Sequence, residues 1–256
     1  MRRSFLLGFL IGLVLLIVAG VGASRLKQRD KEEEAFRQEL VDATSVRFGV
    51  LTETQRAHSK IHSQYAVLRG NRTINLLVDE AKRNGKKIVS VGFSVGAGQV
   101  PEPQTPETFF AKLTTASDSV IQGKVIKKTS QLTEDSAFLF TDYEVLVTEI
   151  FKDNPAAPIH AGSTITVTRP GGKVLIDGII VKGIDESCRP LPQNGHGLVL
   201  FLRFIKETGS YQSTADSGGF EINDSVVHPL TGEALPAGVL QDTRSFLRTV
   251  RATCAK

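Results

Sequence analysis

The stretches SVIQGKVIKK (residues 119–128) and AFLFTDYEVLVTEIF (residues 137–151) decide how this chain is read. Before them the apolar period is helical; from Ser119 it becomes two. In the second stretch Tyr143, Val145, Val147 and Glu149 alternate with Glu144, Leu146, Thr148 and Ile150. Both rows are largely apolar or β-branched, as in a long, curved barrel strand packed on two sides. Further strands are predicted over Ser163–Arg169, Lys173–Lys182 and Gly197–Lys206, with shorter ones over Gly209–Thr214 and Gly219–His228. Pro170-Gly171-Gly172 and Gly218-Gly219 punctuate them. Several short strands so punctuated predict a small antiparallel barrel or sandwich. Val239 to Ala252, with Leu240, Phe246, Leu247 and Val250, reads as a closing helix.

The segments VIQGKVIKK, FTDYEVLVTEIFKDN, ITVTRPGG and GLVLFLRF resemble uncharacterised bacterial exported or membrane-anchored proteins. The resemblance covers roughly Ser119 to His228. It implies a small OB-like or sandwich-like β-domain. It implies no activity, and no catalytic residue transfers with it.

Upstream, Arg25 to Val46 reads as a charged helix with a thin apolar stripe, a stalk more than a coiled coil. Thr52–Leu68 and Asn71–Asn84 are predicted helices, the latter stopped by Gly85. Lys87–Val95 is a predicted strand. Residues 99–106 form a proline-bearing linker, with Thr105-Pro106 capping a short helix that carries Phe109, Phe110 and Leu113.

Phe5 to Ala23 contains no charged residue and follows Arg2 and Arg3. Nineteen helical residues at about 1.5 Å each span about 28 Å, close to a bilayer's hydrocarbon core. The segment is longer than the core of a cleaved signal, which favours a retained anchor, although Val21-Gly22-Ala23 offers a cleavage site. Arg2 and Arg3 favour an inside N-terminus; Arg25, Lys27, Arg29 and Lys31 argue the other way. The N-in orientation places the main domain outside the cytoplasm. The expected organisation is α+β: 1–24 anchor or signal, 25–98 helical stalk and mixed segment, 99–117 linker and short helix, 118–230 β-domain, 231–256 C-terminal helix.

Composition narrows the function. In 256 residues there are 41% apolar and 23% charged side chains, no Trp, and a net charge of +4. That charge is too small to imply a nucleic-acid partner. From Arg56 to Lys87 eight basic residues face Asp79 and Glu80, whereas Asp118 to His228 holds ten basic and fourteen acidic residues. The basic segment 56–87 reads as a solvated face, or as a contact for anionic lipid headgroups.

Candidate sites are few. His58 and His62, four apart on a helix, share a face and could bind one metal; without a neighbouring Glu or third ligand, surface histidines are the plainer reading. Cys188 and Cys254 are candidates for a disulfide, with two separate thiols as the alternative. Cys188 and His196, eight residues apart, lack a visible orienting group for nucleophilic chemistry. GFSVGAG (residues 92–98) has the wrong glycine spacing and context for a phosphate loop. Thr168 to Lys173 reads as a hairpin turn whose Arg169 and Lys173 could hold an anion. No cofactor is expected. The resulting expectation is a single-pass membrane protein with a non-enzymatic binding or scaffolding β-domain outside the cytoplasm and an unidentified protein partner. The alternatives are a metal- or thiol-dependent hydrolase, and a secreted or periplasmic inhibitor or ligand carrier released by cleavage at Ala23.

Overall fold

A computed structural model describes residues 30–67, 73–93, 105–185, 189–193, 195–214, 218–223, 225–231, 235–239 and 242–255. The expected anchor, Phe5 to Ala23, lies outside them, as do Cys188 and residues 94–98 of GFSVGAG. Among the described residues no helix is long and apolar enough to cross a membrane. The chain divides into two units, the break falling between Ala43 and Thr44.

The first unit contributes helix α1 (residues 30–40). It is exposed along most of its length and carries an Arg37–Glu33 pair at 3.9 Å, one turn apart. The expected helix to Val46 ends earlier. Thr44–Ser45 is strand β1, because its backbone pairs in parallel with Val174 and Leu175.

The second unit is a mixed α+β fold ending in a helix. Its elements are α2 (Glu53–Val67), α3 (Ile74–Arg83), β2 (Ile88–Phe93), α4 (Pro106–Ala116), β3 (Ser119–Leu132), β4 (Leu139–Lys152), β5 (Thr164–Pro170), β6 (Gly172–Ile176), β7 (Ile179–Asp185), β8 (Gly197–Ile205), β9 (Ser210–Ser213), β10 (Gly219–Ile222), β11 (Val227–Pro229) and α5 (Thr243–Cys254). Two expected strands are each split by a turn. Lys173–Lys182 is the hairpin β6–β7, turned at Asp177 and Gly178, whose φ values of 49° and 81° fit a tight two-residue turn. Gly219–His228 is β10 and β11, separated where Asn223 Oδ1 accepts from Val226 N. The closing helix begins later than expected, because Asp242 caps it by accepting from Ser245 N.

The smaller sheet runs β1-β6-β7-β2 and includes parallel pairs, so β2 from the expected mixed segment shares a sheet with strands of the expected β-domain. The larger runs β11-β10-β8-β3-β4-β5-β9, and β8 also pairs with β9. The β5–β9 link is parallel and rests on one residue pair, Val167 and Tyr211.

Among the described residues three apolar clusters fill the fold. One joins Ile121, Tyr143, Val145, Val167, Leu200 and Tyr211 from β3, β4, β5, β8 and β9. A second packs Phe110 of α4 and Phe246 of α5 on Phe201 and Phe220. The third sets Ile74 and Val78 of α3 against Val174 and Val181. Strand β8 is buried on both faces, Leu198 to Leu202 all at 0% exposure, which explains its unbroken apolar run.

Candidate functional site

The densest buried polar chemistry lies under α2. Its start is written locally: Thr52 Oγ1 accepts from Gln55 N and Gln55 Oε1 accepts from Thr52 N, a reciprocal capping box. From there His58, Ser59 and His62 fall on one face of the helix. The structure corrects the surface-histidine reading, since His58 and His62 are 0% and 1% exposed.

That face meets three strands. His58 Nδ1 lies 2.9 Å from Asp142 Oδ1 on β4, off the alignment of a good hydrogen bond. His58 Nε2 lies 2.9 Å from Ser210 Oγ at the start of β9. Ser210 Oγ lies 2.5 Å from Thr208 Oγ1. With the His58 proton on Nδ1 toward the carboxylate, Nε2 accepts from Ser210, which accepts from Thr208. One turn on, His62 Nε2 lies 2.8 Å from Thr168 Oγ1 on β5. Thr168 stands directly opposite Asp142 across the strands. Phe140 packs between the rings, stacked on His62 (centroids 5.2 Å, planes 15° apart) and edge-on to His58 (6.5 Å, 90°). Ser59 Oγ accepts from Glu134 N at 2.7 Å, and Arg56 pairs with Glu134 at 3.2 Å outside. Burial, with the neighbouring His58, pushes the His62 pKa down to about 3, so its ring is neutral at pH 7.

Carboxylate, imidazole and hydroxyl thus follow one another as they do in a serine hydrolase. Access differs. Ser210 is 2% exposed and His58 0%, both beneath a helix to which His58 itself belongs. A nucleophile must reach an acyl carbon, and moving α2 aside would remove the base. The cluster works as a clamp, joining the helix to the sheet through polar bonds.

The other candidates are dispersed. Among the described residues no group of three metal-binding side chains gathers, and the two histidines bond to hydroxyls. The stretch from Thr168 to Lys173 is no hairpin: Arg169 belongs to the larger sheet and Lys173 to the smaller, with Gly171 between. Arg169 is 2% exposed, which removes it from a solvent-facing anion site. Cys254 is a free, half-buried thiol 3.8 Å from Thr114 Oγ1, its pKa raised by burial. Its candidate partner Cys188 lies outside the described residues. His196 Nδ1 contacts Glu221 Oε1 at 2.5 Å. Cys254 borders a cleft of about 630 Å³ between α4 and α5. Lys152 in that cleft donates to the carbonyls of Thr114 and Ser117, closing the end of α4.

Sequence reasoning missed Asp142, Thr168 and Ser210. A single signal was present: Asp142 is a carboxylate in a largely apolar and aromatic strand, FLFTDYEVLV, which also carries Thr141 and Glu144. Compared with known protein families and with curated protein sequences, the chain matches none.

Proposed function

We propose that this protein is a single-pass membrane protein whose β-domain, held outside the cytoplasm, is a non-enzymatic binding or scaffolding module. The observation that carries the reading is the sealing of His58 and Ser210 under α2, beside the partly buried Asp142, where they hold an element in place. The strand order supports an OB-like identity for the domain, of the kind found in the bacterial exported proteins that the sequence resembles. The pairings run β8–β3–β4–β5–β9 and return to β8, a partly open five-stranded arrangement narrowly joined at Val167–Tyr211. All five strands contribute to one apolar cluster, which favours work done on the outer surface.

Residues 5–23 are the bilayer contact. Among the described basic residues of segment 56–87, Lys60, Arg83 and Lys86 are exposed and offer the anionic lipid contact. Arg56 and Lys82 are paired with Glu134 and Asp177. The remaining partner is a protein, and neither cofactor nor nucleic acid enters the reading.

Two measurements test it. The full chain is treated with a fluorophosphonate and its intact mass recorded; no adduct is expected. An adduct on Ser210 that disappears in His58→Ala establishes the hydrolase instead. Alkaline carbonate extraction of expressing cells should leave the chain in the membrane pellet; release as a form beginning after Ala23 establishes the secreted alternative.

A further inference from the structure

The described side chains of helix α2 are attached differently from those of the other helices of its unit. Helices α3, α4 and α5 each place side chains in an apolar cluster: Ile74 and Val78, Phe109 and Phe110, Phe246 and Val250. No described residue of α2 belongs to any of the three clusters. Over residues 53–63 its buried side chains are polar, His58, Ser59 and His62, supplemented by the Phe140 ring. Both imidazoles sit in a desolvated interface where a charge must find compensation.

We propose that α2 is an acid-released cover: protonation of His62 detaches the helix from the outer face of β4, β5 and β9 while the sheets stay folded. The surrounding groups set the direction. From β4, Asp142 faces His58 and so meets one of the two imidazoles; Glu144 is paired outward with Lys127. From β5, His62 meets a neutral hydroxyl, Thr168, and the neighbouring charge along that strand is the buried cation Arg169. The start of β9 offers Ser210, also neutral. From the β3–β4 turn, Glu134 is paired with Arg56 at the surface, and Asp135 accepts from Thr133. On α2 itself Glu53, Arg56 and Lys60 point to solvent. Burial and His58 both disfavour a charged His62. Proton uptake is therefore coupled to leaving the interface, where water solvates the imidazolium. No described side chain of α2 enters the apolar clusters, so the strands beneath keep their packing.

Hydrogen exchange read by mass spectrometry on the full chain tests this between pH 7.5 and 4.5, with rates corrected for intrinsic chemistry. The opening constant for peptides within Glu53–Val67 should rise up to tenfold per pH unit below about 6.5, while β8 peptides stay protected. The variant His62→Gln keeps a hydrogen-bonding group toward Thr168 and takes no proton, so its slope should fall by one proton per molecule. The wild-type series stands alone if that variant fails to fold. Opening of α2 that does not change with pH, or that runs in step with β8, overturns the proposal, as does an unchanged slope in His62→Gln.

Discussion

Gly172 sits where the chain leaves the larger sheet for the smaller. Its φ is 140°, and a Cβ there would lie 2.2 Å from Thr141 Oγ1 and 2.7 Å from Ser130 Oγ. Those hydroxyls bond to each other at 2.8 Å, and Thr141 donates to the Gly171 carbonyl. Gly172→Ala therefore combines backbone strain with a broken buried network. It should cost about 2–4 kcal/mol, read as a lower urea midpoint; an unchanged midpoint would show that the crossing relaxes. Thr168→Val keeps the shape under His62 and removes its hydrogen-bond partner. Leaving a buried ring nitrogen without that hydroxyl should weaken α2 docking by about 1–3 kcal/mol, seen as faster exchange confined to that helix. His62 sets the pH sign. Its folded pKa lies below the unfolded value of 6.5. Docking is at full strength above pH 6.5 and weakens as pH falls toward 3, by up to about 1.4 kcal/mol per unit.

Among the elements, α5 shows which contacts matter. Phe246 is 0% exposed and lies 5.0 Å from the Phe220 ring centroid and 5.5 Å from that of Phe110. Phe246→Ala should cost about 3–5 kcal/mol, the range for an aromatic deleted from a core. Arg251 makes a two-pronged pair with Glu149, both bonds 2.8 Å, and lies 5.5 Å from the Phe151 ring centroid. Being half exposed, it should matter far less: Arg251→Ala should cost under about 1 kcal/mol. Equal losses in the two variants, measured by urea unfolding, would contradict this ordering. The elements themselves were readable wherever a local signal had no competitor. Thr105 accepting from Thr108 N and Gly85 at φ 66° do what their residue types led one to expect. Asp177-Gly178 was equally local. It was hidden because the β-branched and aliphatic residues on either side read as one continuous strand.

For the whole molecule, the break after Ala43 gives an expectation about folding. Strand β1 begins at Thr44, and the three apolar clusters lie entirely after the break. A chain of residues 44–256 should then unfold in urea with the same midpoint as the full chain. A loss above about 1 kcal/mol would mean that the preceding residues contribute to the fold. Local chemistry along the chain was enough to establish an apolar N-terminal segment, the helices, most strands and an α+β class, because periodicity, caps and turn residues act over a few positions. The meeting of His58 and His62 with Asp142, Thr168 and Ser210 was a matter of tertiary structure. Those groups are up to 152 residues apart and share a site through strand order and register alone. Burial then changed what the histidines are: a pair that read as a surface feature became buried anchors for a helix, the His62 ring neutral at pH 7. The same holds for Arg169, whose place in an apparent turn gave no sign that the next residues cross into a second sheet.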